Sequence, residues 1–137
     1  MNTVVFACIH NAGRSQMAAH FFNHLADPAR ARAISAGTHP ADQVNPVVVE
    51  AMAEVGIDVS QAVPQRLTAE LAIGAAVLFT MGCGDACPYV PGLRIEDWPL
   101  PDPRGQGIDA VRAIRDTIRV HVAALLAAEG WGREVSR

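Results

Sequence analysis

Cys8 and Arg14 bracket the segment CIHNAGRS, residues 8–15, which follows an apolar run and precedes a helical pattern. A loop entering a helix has backbone N–H groups without partners and lies at the positive end of the helix dipole. Amides so arranged bind an oxyanion. Ile9, His10, Asn11, Ala12 and Gly13 supply them between Cys8 and Arg14. Gly13 relaxes the turn, and Asn11 tolerates a left-handed backbone and can bond the loop to itself. The planar fork of Arg14 suits two oxygens of a tetrahedral anion. The same positive field favours a thiolate at Cys8, and Ser15 can donate a hydrogen bond to it. The pattern predicts a loop that holds an oxyanion and aims a sulfur nucleophile at its central atom. The plainer alternative is a cysteine packed at a strand end beside a surface arginine; the strand-to-helix setting and the adjacent serine weigh against it.

A second group, TMGCGDACP at residues 80–88, follows another apolar run. Cys83 and Cys87 can form a disulfide only if the backbone bends between them, which the neighbouring glycines permit. Near a nucleophilic thiolate such a pair suggests thiol–disulfide exchange, each sulfur attacking the previous one. Inert thiols and a zinc half-site are the alternatives, but zinc takes four ligands and no second cysteine pair exists. His20 and His24 stand at i, i+4, yet HFFNH lacks the glutamate of a zincin helix. No metal is expected. A third group, EDWPLPDPRG, holds Asp97 and Asp102. An oxygen leaving the anion needs a proton. Asp102, stiffened by Pro101 and Pro103, is the candidate acid; an ordinary turn aspartate is the alternative. Trp98 reads as a lid or core residue.

These groups need elements to position them. Val4–Ala7 reads as a buried strand, and residues 14–25 as a helix with Met17, Ala18, Phe21, Phe22 and Leu25 inward. Gln16, His20, Asn23 and His24 fall on its polar side. Residues 31–36 form a weaker strand. Asn45-Pro46 starts a helix that runs to about Val55, and Thr68 caps a short one ending at Ile73. Residues 75–81 read as a strand buried on both faces. Residues 82–107 are mostly loop, with a strand near Leu93–Glu96. The last helix spans residues 108–129 and buries Ile108, Val111, Ile114, Ile118, Val122 and Leu125. Arg112, Arg115 and Arg119 line its opposite, solvated face. Alternating strands and helices predict a parallel sheet covered on both sides, with sites beyond the carboxyl ends of the strands. Cys8 and Cys83 should therefore emerge on one edge.

The bulk properties narrow the choices further. A chain of 137 residues, half of them hydrophobic, suits one domain. A net charge of −3 argues against nucleic acid. All eleven basic residues are arginine, which excludes a lysine-bearing Walker loop and Schiff-base chemistry. No run approaches the roughly 18 apolar residues of a membrane span. With no basic leader at the start, a cytoplasmic protein is expected. An odd cysteine count fits a reducing compartment and catalytic or redox-active thiols.

Together, CIHNAGRSQMA, SAGT at residues 35–38, TMGCGDACP and DWPLPDP at residues 97–103 resemble the low-molecular-weight protein tyrosine phosphatase superfamily, and within it the thiol-coupled arsenate reductases. The resemblance covers nearly the whole chain. It implies an α/β fold: one three-layer domain over residues 1–137, with a central, mainly parallel four-stranded sheet and helices on both faces. It implies that arsenate binds in the loop from Cys8 to Arg14, with phosphate and sulfate competing. Cys8 would attack arsenic, Asp102 would protonate the departing oxygen, Cys83 would attack Cys8, and Cys87 would attack Cys83. Thioredoxin or a similar dithiol protein would reduce the Cys83–Cys87 disulfide, with no bound cofactor. A monomer is expected.

The sequence departs from this pattern in two places. Members whose redox segment loops out space the distal cysteines more widely. Members that bind potassium use a first-helix glutamate where Ala19 stands here, so that site is not carried over. Relatives that use mycothiol or glutathione with a glutaredoxin-like partner leave the reductant open. A phosphatase of the same fold would need only Cys8, Arg14 and Asp102. Tyrosine phosphatases usually carry an aromatic just after the acid, whereas Arg104 follows Pro103 here. A non-catalytic oxyanion sensor is the remaining alternative.

Overall fold

A computed structural model describes residues 2–82 and 90–133. The chain runs β1 (Asn2–Cys8), α1 (Arg14–Leu25), β2 (Ala31–Gly37), α2 (Pro46–Ala53), α3 (Ala69–Ile73), β3 (Val77–Thr80), β4 (Arg94–Asp97) and α4 (Ile108–Glu129). The four strands form one parallel sheet in the order β2-β1-β3-β4. β1 lies inside, and the chain crosses it between β2 and β3. The switch point of the sheet therefore opens beyond the carboxyl end of β1, where Cys8 is the last strand residue.

Side-chain alternation along β1 divides the core in two. Val4, Phe6 and Cys8 join Phe79, Met17, Phe22, Val48, Met52, Ile118 and Val122 in the large cluster under α1, α2 and α4. Val5 and Ala7 face the opposite layer with Leu67 and Leu78, which Leu71 of α3 helps to cover. Phe6 stacks on Phe79 with ring centroids 5.3 Å apart, and half-buried Trp98 lies 4.4 Å from Phe79. Trp98 thus covers this core and does not line the cavity that holds Cys8.

Local rules explain the element ends. The Asn45 side chain accepts from Val47 N–H at the start of α2, with Pro46 in the first turn. Thr68 caps α3 through Leu71 N–H. Gly130 ends α4 in the left-handed region. The structure begins β1 two residues earlier than the apolar pattern suggested, because parallel pairing with β2 starts at Asn2 opposite Ala31. It shortens β3 to Val77–Thr80 and shifts β4 to Arg94–Asp97, the stretches that pair in the ladder register.

Two polar assignments need correction. Arg115 is not on a solvated face: it is 8% exposed and bonds the Ala51 carbonyl and the carboxylates of Glu54 and Asp116. Arg112 joins the same Glu54, and the two guanidiniums hold its carboxyl down at about 2. This ionic cluster fastens the end of α2 to α4. Gln16, expected on the polar side of α1, is also buried.

Candidate functional site

The loop between β1 and α1 is shaped by what its carbonyls do. Thr38, His39, Ala41 and Asn45 donate backbone N–H groups to the carbonyls of Cys8, Ile9, His10 and Ala12. The carbonyls therefore face the segment after β2. Among the described residues, the amides of residues 9–13 find no acceptor in the protein, and the first turn of α1 adds its own unpaired N–H groups. Gly13 caps α1 without a side-chain bond. The result is a set of unpaired donors at a positive helix end, suited to an anion. Gly37 makes the close approach possible: a Cβ there would lie 2.6 Å from the Ile9 carbonyl and 2.9 Å from the Asn11 nitrogen.

Cys8 is buried and unpaired at the foot of this loop. Its Sγ lies 2.9 Å from Ser15 Oγ. Asn11, at φ 51°, bonds the same hydroxyl. Gln65 N–H, which can only donate, meets Asn11 Oδ1 at 2.9 Å, and Gln16 Nε2 donates to the same oxygen at 3.2 Å. The other end of the amide, Nδ2, must then donate to Ser15 Oγ, at 2.7 Å. Ser15 accepts from Asn11 and keeps its own proton, which it donates when Cys8 is a thiolate, since a thiolate can only accept.

Arg14 is buried and held from three sides. Its Nη1 donates to the Leu100 carbonyl at 3.0 Å, Nη2 lies 3.7 Å from Asp102 Oδ2, and Gly82 passes against the guanidinium. Gly82 has φ 96°, and a Cβ there would collide with Arg14. Asp102 is half exposed, and its Oδ1 accepts from Arg104 N–H at 2.9 Å. Pro103 packs on Gly13, leaving no room for a side chain there, and so joins the acid loop to the oxyanion loop. Cys8, His10, Ala12, Gly13, Arg14, His39, Asp102 and Arg104 are among the residues lining one cavity of about 470 Å³.

A buried thiol beside unpaired amides, with an arginine and a carboxylate lining the same cavity, has the residue types that suit nucleophilic attack on a tetrahedral oxyanion. Residues 3–86 match the family of low molecular weight phosphotyrosine protein phosphatases. A protein of Halobacterium salinarum is 38% identical over 126 residues, 88% of this chain and 87% of its own. The glutaredoxin arsenate reductase of Synechocystis is 33% identical over 130 residues, 93% of this chain and 98% of its own. The solved thioredoxin-dependent arsenate reductase of Corynebacterium glutamicum superposes with a TM-score of 0.81 at 36% identity. That match covers 93% of this chain but only 61% of the Corynebacterium chain.

This chain belongs to the low molecular weight phosphotyrosine protein phosphatase family. The family loop accounts for Cys8, Ile9, His10, Asn11, Ala12, Gly13, Arg14 and Ser15, which the fold brings together as the motif suggested. Asp102 joins them on the loop after β4, while Asp97 is turned away to accept from Thr80 Oγ1 at 2.8 Å. Cys83 and Cys87 lie outside the described residues. Gly82, the residue before them, is on the site edge, since Met81 N–H bonds the Ala7 carbonyl and Gly82 touches Arg14.

The motif did not expose every participant in this family site. Gln16 and the backbone of Gln65 orient Asn11, and the Leu100 carbonyl anchors Arg14. Gln16 was hidden by its place on an apparently polar helix face. The other two act through backbone atoms, which carry no sequence signal.

Proposed function

We propose that this chain reduces arsenate to arsenite with its own cysteines. Arsenate enters the amide ring with two oxygens toward Arg14. The Cys8 thiolate attacks arsenic, and Asp102 gives its proton to a departing oxygen, which leaves as water. Cys83 then attacks Cys8 Sγ. A sulfur–sulfur bond forms, the sulfur–arsenic pair passes to arsenic, and arsenic(V) becomes arsenic(III). Cys87 attacks Cys83, frees Cys8 and leaves a Cys83–Cys87 disulfide for an external thiol. Thioredoxin is the reductant this reading favours, because a chain cysteine pair yields a disulfide that a dithiol protein can reduce.

One observation supports the reading most directly. The Asn11–Ser15–Cys8 bonds hold a sulfur nucleophile beneath unpaired amides, and Gly82, which precedes Cys83, runs against the same arginine. A phosphatase needs only the first half of that arrangement.

The test supplies arsenate, thioredoxin, thioredoxin reductase and NADPH. Arsenate-dependent NADPH consumption by the wild type, lost in Cys8→Ser, Cys83→Ser and Cys87→Ser, is the expected result. Turnover that survives Cys87→Ser with glutathione and glutaredoxin would assign the low-molecular-weight thiol route. Hydrolysis of phosphoesters by Cys83→Ser, with no arsenate reduction by the wild type, would refute the proposal.

A further inference from the structure

The cavity mouth carries a second arginine that the reaction as derived leaves idle. Arg104 stands two residues after Asp102, and its exposed side chain reaches across the opening to the oxyanion loop. There its Nη1 meets His10 Nε2 at 2.9 Å. A guanidinium only donates, so the imidazole nitrogen accepts. His10 is therefore neutral in this arrangement, and its Nδ1 keeps the proton and donates to the His39 carbonyl at 3.2 Å. Among the described residues no carboxylate lies within ion-pair distance of the Arg104 guanidinium. A full positive charge thus rests on a neutral acceptor beside a cavity built for an anion.

Its surroundings favour a small inorganic anion. Among the described residues no Phe, Tyr or Trp lines the cavity; its lining includes His10, His39, Pro40 and Arg104. An aryl ester would find charge where it needs ring faces. The backbone of Arg104 is also fixed near the opening, since Pro103 packs on Gly13 and Arg104 N–H holds Asp102. Only the side chain has to move.

We propose that Arg104 is a second anion-binding arginine that sets the preference for inorganic oxyanions. It leaves His10 when a tetrahedral anion enters and donates to an oxygen that Arg14 does not reach. The exchange replaces a neutral acceptor with a charged one, which adds the attraction between opposite charges to the hydrogen bond. The identity of the anion as arsenate rests on the reductase reading; the binding role does not.

Arg104→Met keeps the length and removes the charge, while Arg104→Lys keeps the charge without the fork. Inorganic phosphate is the probe, and its affinity is read from protection of Cys8 against iodoacetamide. The apparent Kd should rise about tenfold in Arg104→Met and by less in Arg104→Lys. Arg119→Met, on the exposed face of α4, should shift it by less than about twofold because its charge is remote and screened. In arsenate turnover the Arg104→Met loss should fall on KM. An unchanged phosphate Kd in Arg104→Met, or an equal rise in Arg119→Met, would overturn the proposal. Phosphate protection needs no redox step, so a wild type that binds phosphate but does not reduce arsenate would refute the reductase reading alone.

Discussion

Asn11 Nδ2 donates to Ser15 Oγ, which leaves the Ser15 hydroxyl proton free for a Cys8 thiolate whose Sγ lies 2.9 Å away. The orientation of the amide originates with the Gln65 backbone N–H, which admits only the oxygen of the Asn11 amide. A main-chain group far along the sequence therefore decides which end of the Asn11 amide faces the serine beside the nucleophile.

Reversing that chain of bonds should be worse than breaking it at the end. Ser15→Ala removes one donor to a charged sulfur, and Cys8 alkylation and arsenate turnover should each slow by about ten- to a hundredfold. Asn11→Asp presents an oxygen to Ser15, which then donates to the carboxylate instead of the sulfur. It also adds a negative charge beside an anion site. Asn11→Asp should be the slower of the two; activity above that of Ser15→Ala would contradict the assigned direction.

Gly82 and Arg14 should fail together. A side chain at Gly82 meets both a left-handed backbone and the guanidinium. Gly82→Ala should cost about 1–3 kcal/mol in stability and weaken phosphate protection of Cys8. Arg14→Lys keeps the charge but loses the bidentate fork, and turnover should drop by about a hundredfold. A Gly82→Ala protein with unaltered phosphate affinity would show that Arg14 can be moved without consequence.

Asp102 offers a separation of binding from proton transfer. Its carboxylate sits near Arg14 and competes with an incoming anion for that charge. Asp102→Asn should therefore bind phosphate as well as or better than the wild type, while the rate of adduct formation falls by about a hundredfold or more. Stopped single-turnover measurements with Cys83→Ser as background would read both quantities. Weaker phosphate binding in Asp102→Asn would argue for a positioning role only.

The sequence pointed to the candidate site where residue type alone suggests the chemistry. Cys8, Arg14, Ser15 and Asp102 are legible because a thiol, a fork, a hydroxyl and a carboxylate each have few uses at a strand-to-helix turn. The helices α1, α3 and α4 were legible for a similar reason, since caps and periodicity are local. What stayed hidden depends on tertiary contact. Gln16 looks solvated on a helical wheel, yet the loop that wraps Asn11 covers it. Arg115 belongs to an apparent arginine stripe, but α2 packs close enough to bury it against Glu54. Strand ends were displaced because pairing partners, not apolar runs, decide where a ladder stops.

The Glu54 cluster gives the fold a defined acid sensitivity. Hydrogen bonds from Arg112, then those from Arg115, hold the folded-state carboxyl at about 2, against an ordinary 4.5. The folded pKa lies below the unfolded one, so the stabilisation is fully present above pH 4.5. It fades as pH falls through the window from 4.5 to about 2, where the folded carboxylate at last takes up its proton. Glu54→Gln cannot follow that titration. Urea midpoints should place Glu54→Gln below the wild type at pH 7, and the gap should narrow steadily as the pH is lowered from 4.5. Because Glu54 is on the α2 end and outside the cavity, phosphate protection of Cys8 at pH 7 should be unaltered. A gap that stays constant between pH 7 and pH 3 would mean that the carboxylate's charge is not what fastens α2 to α4.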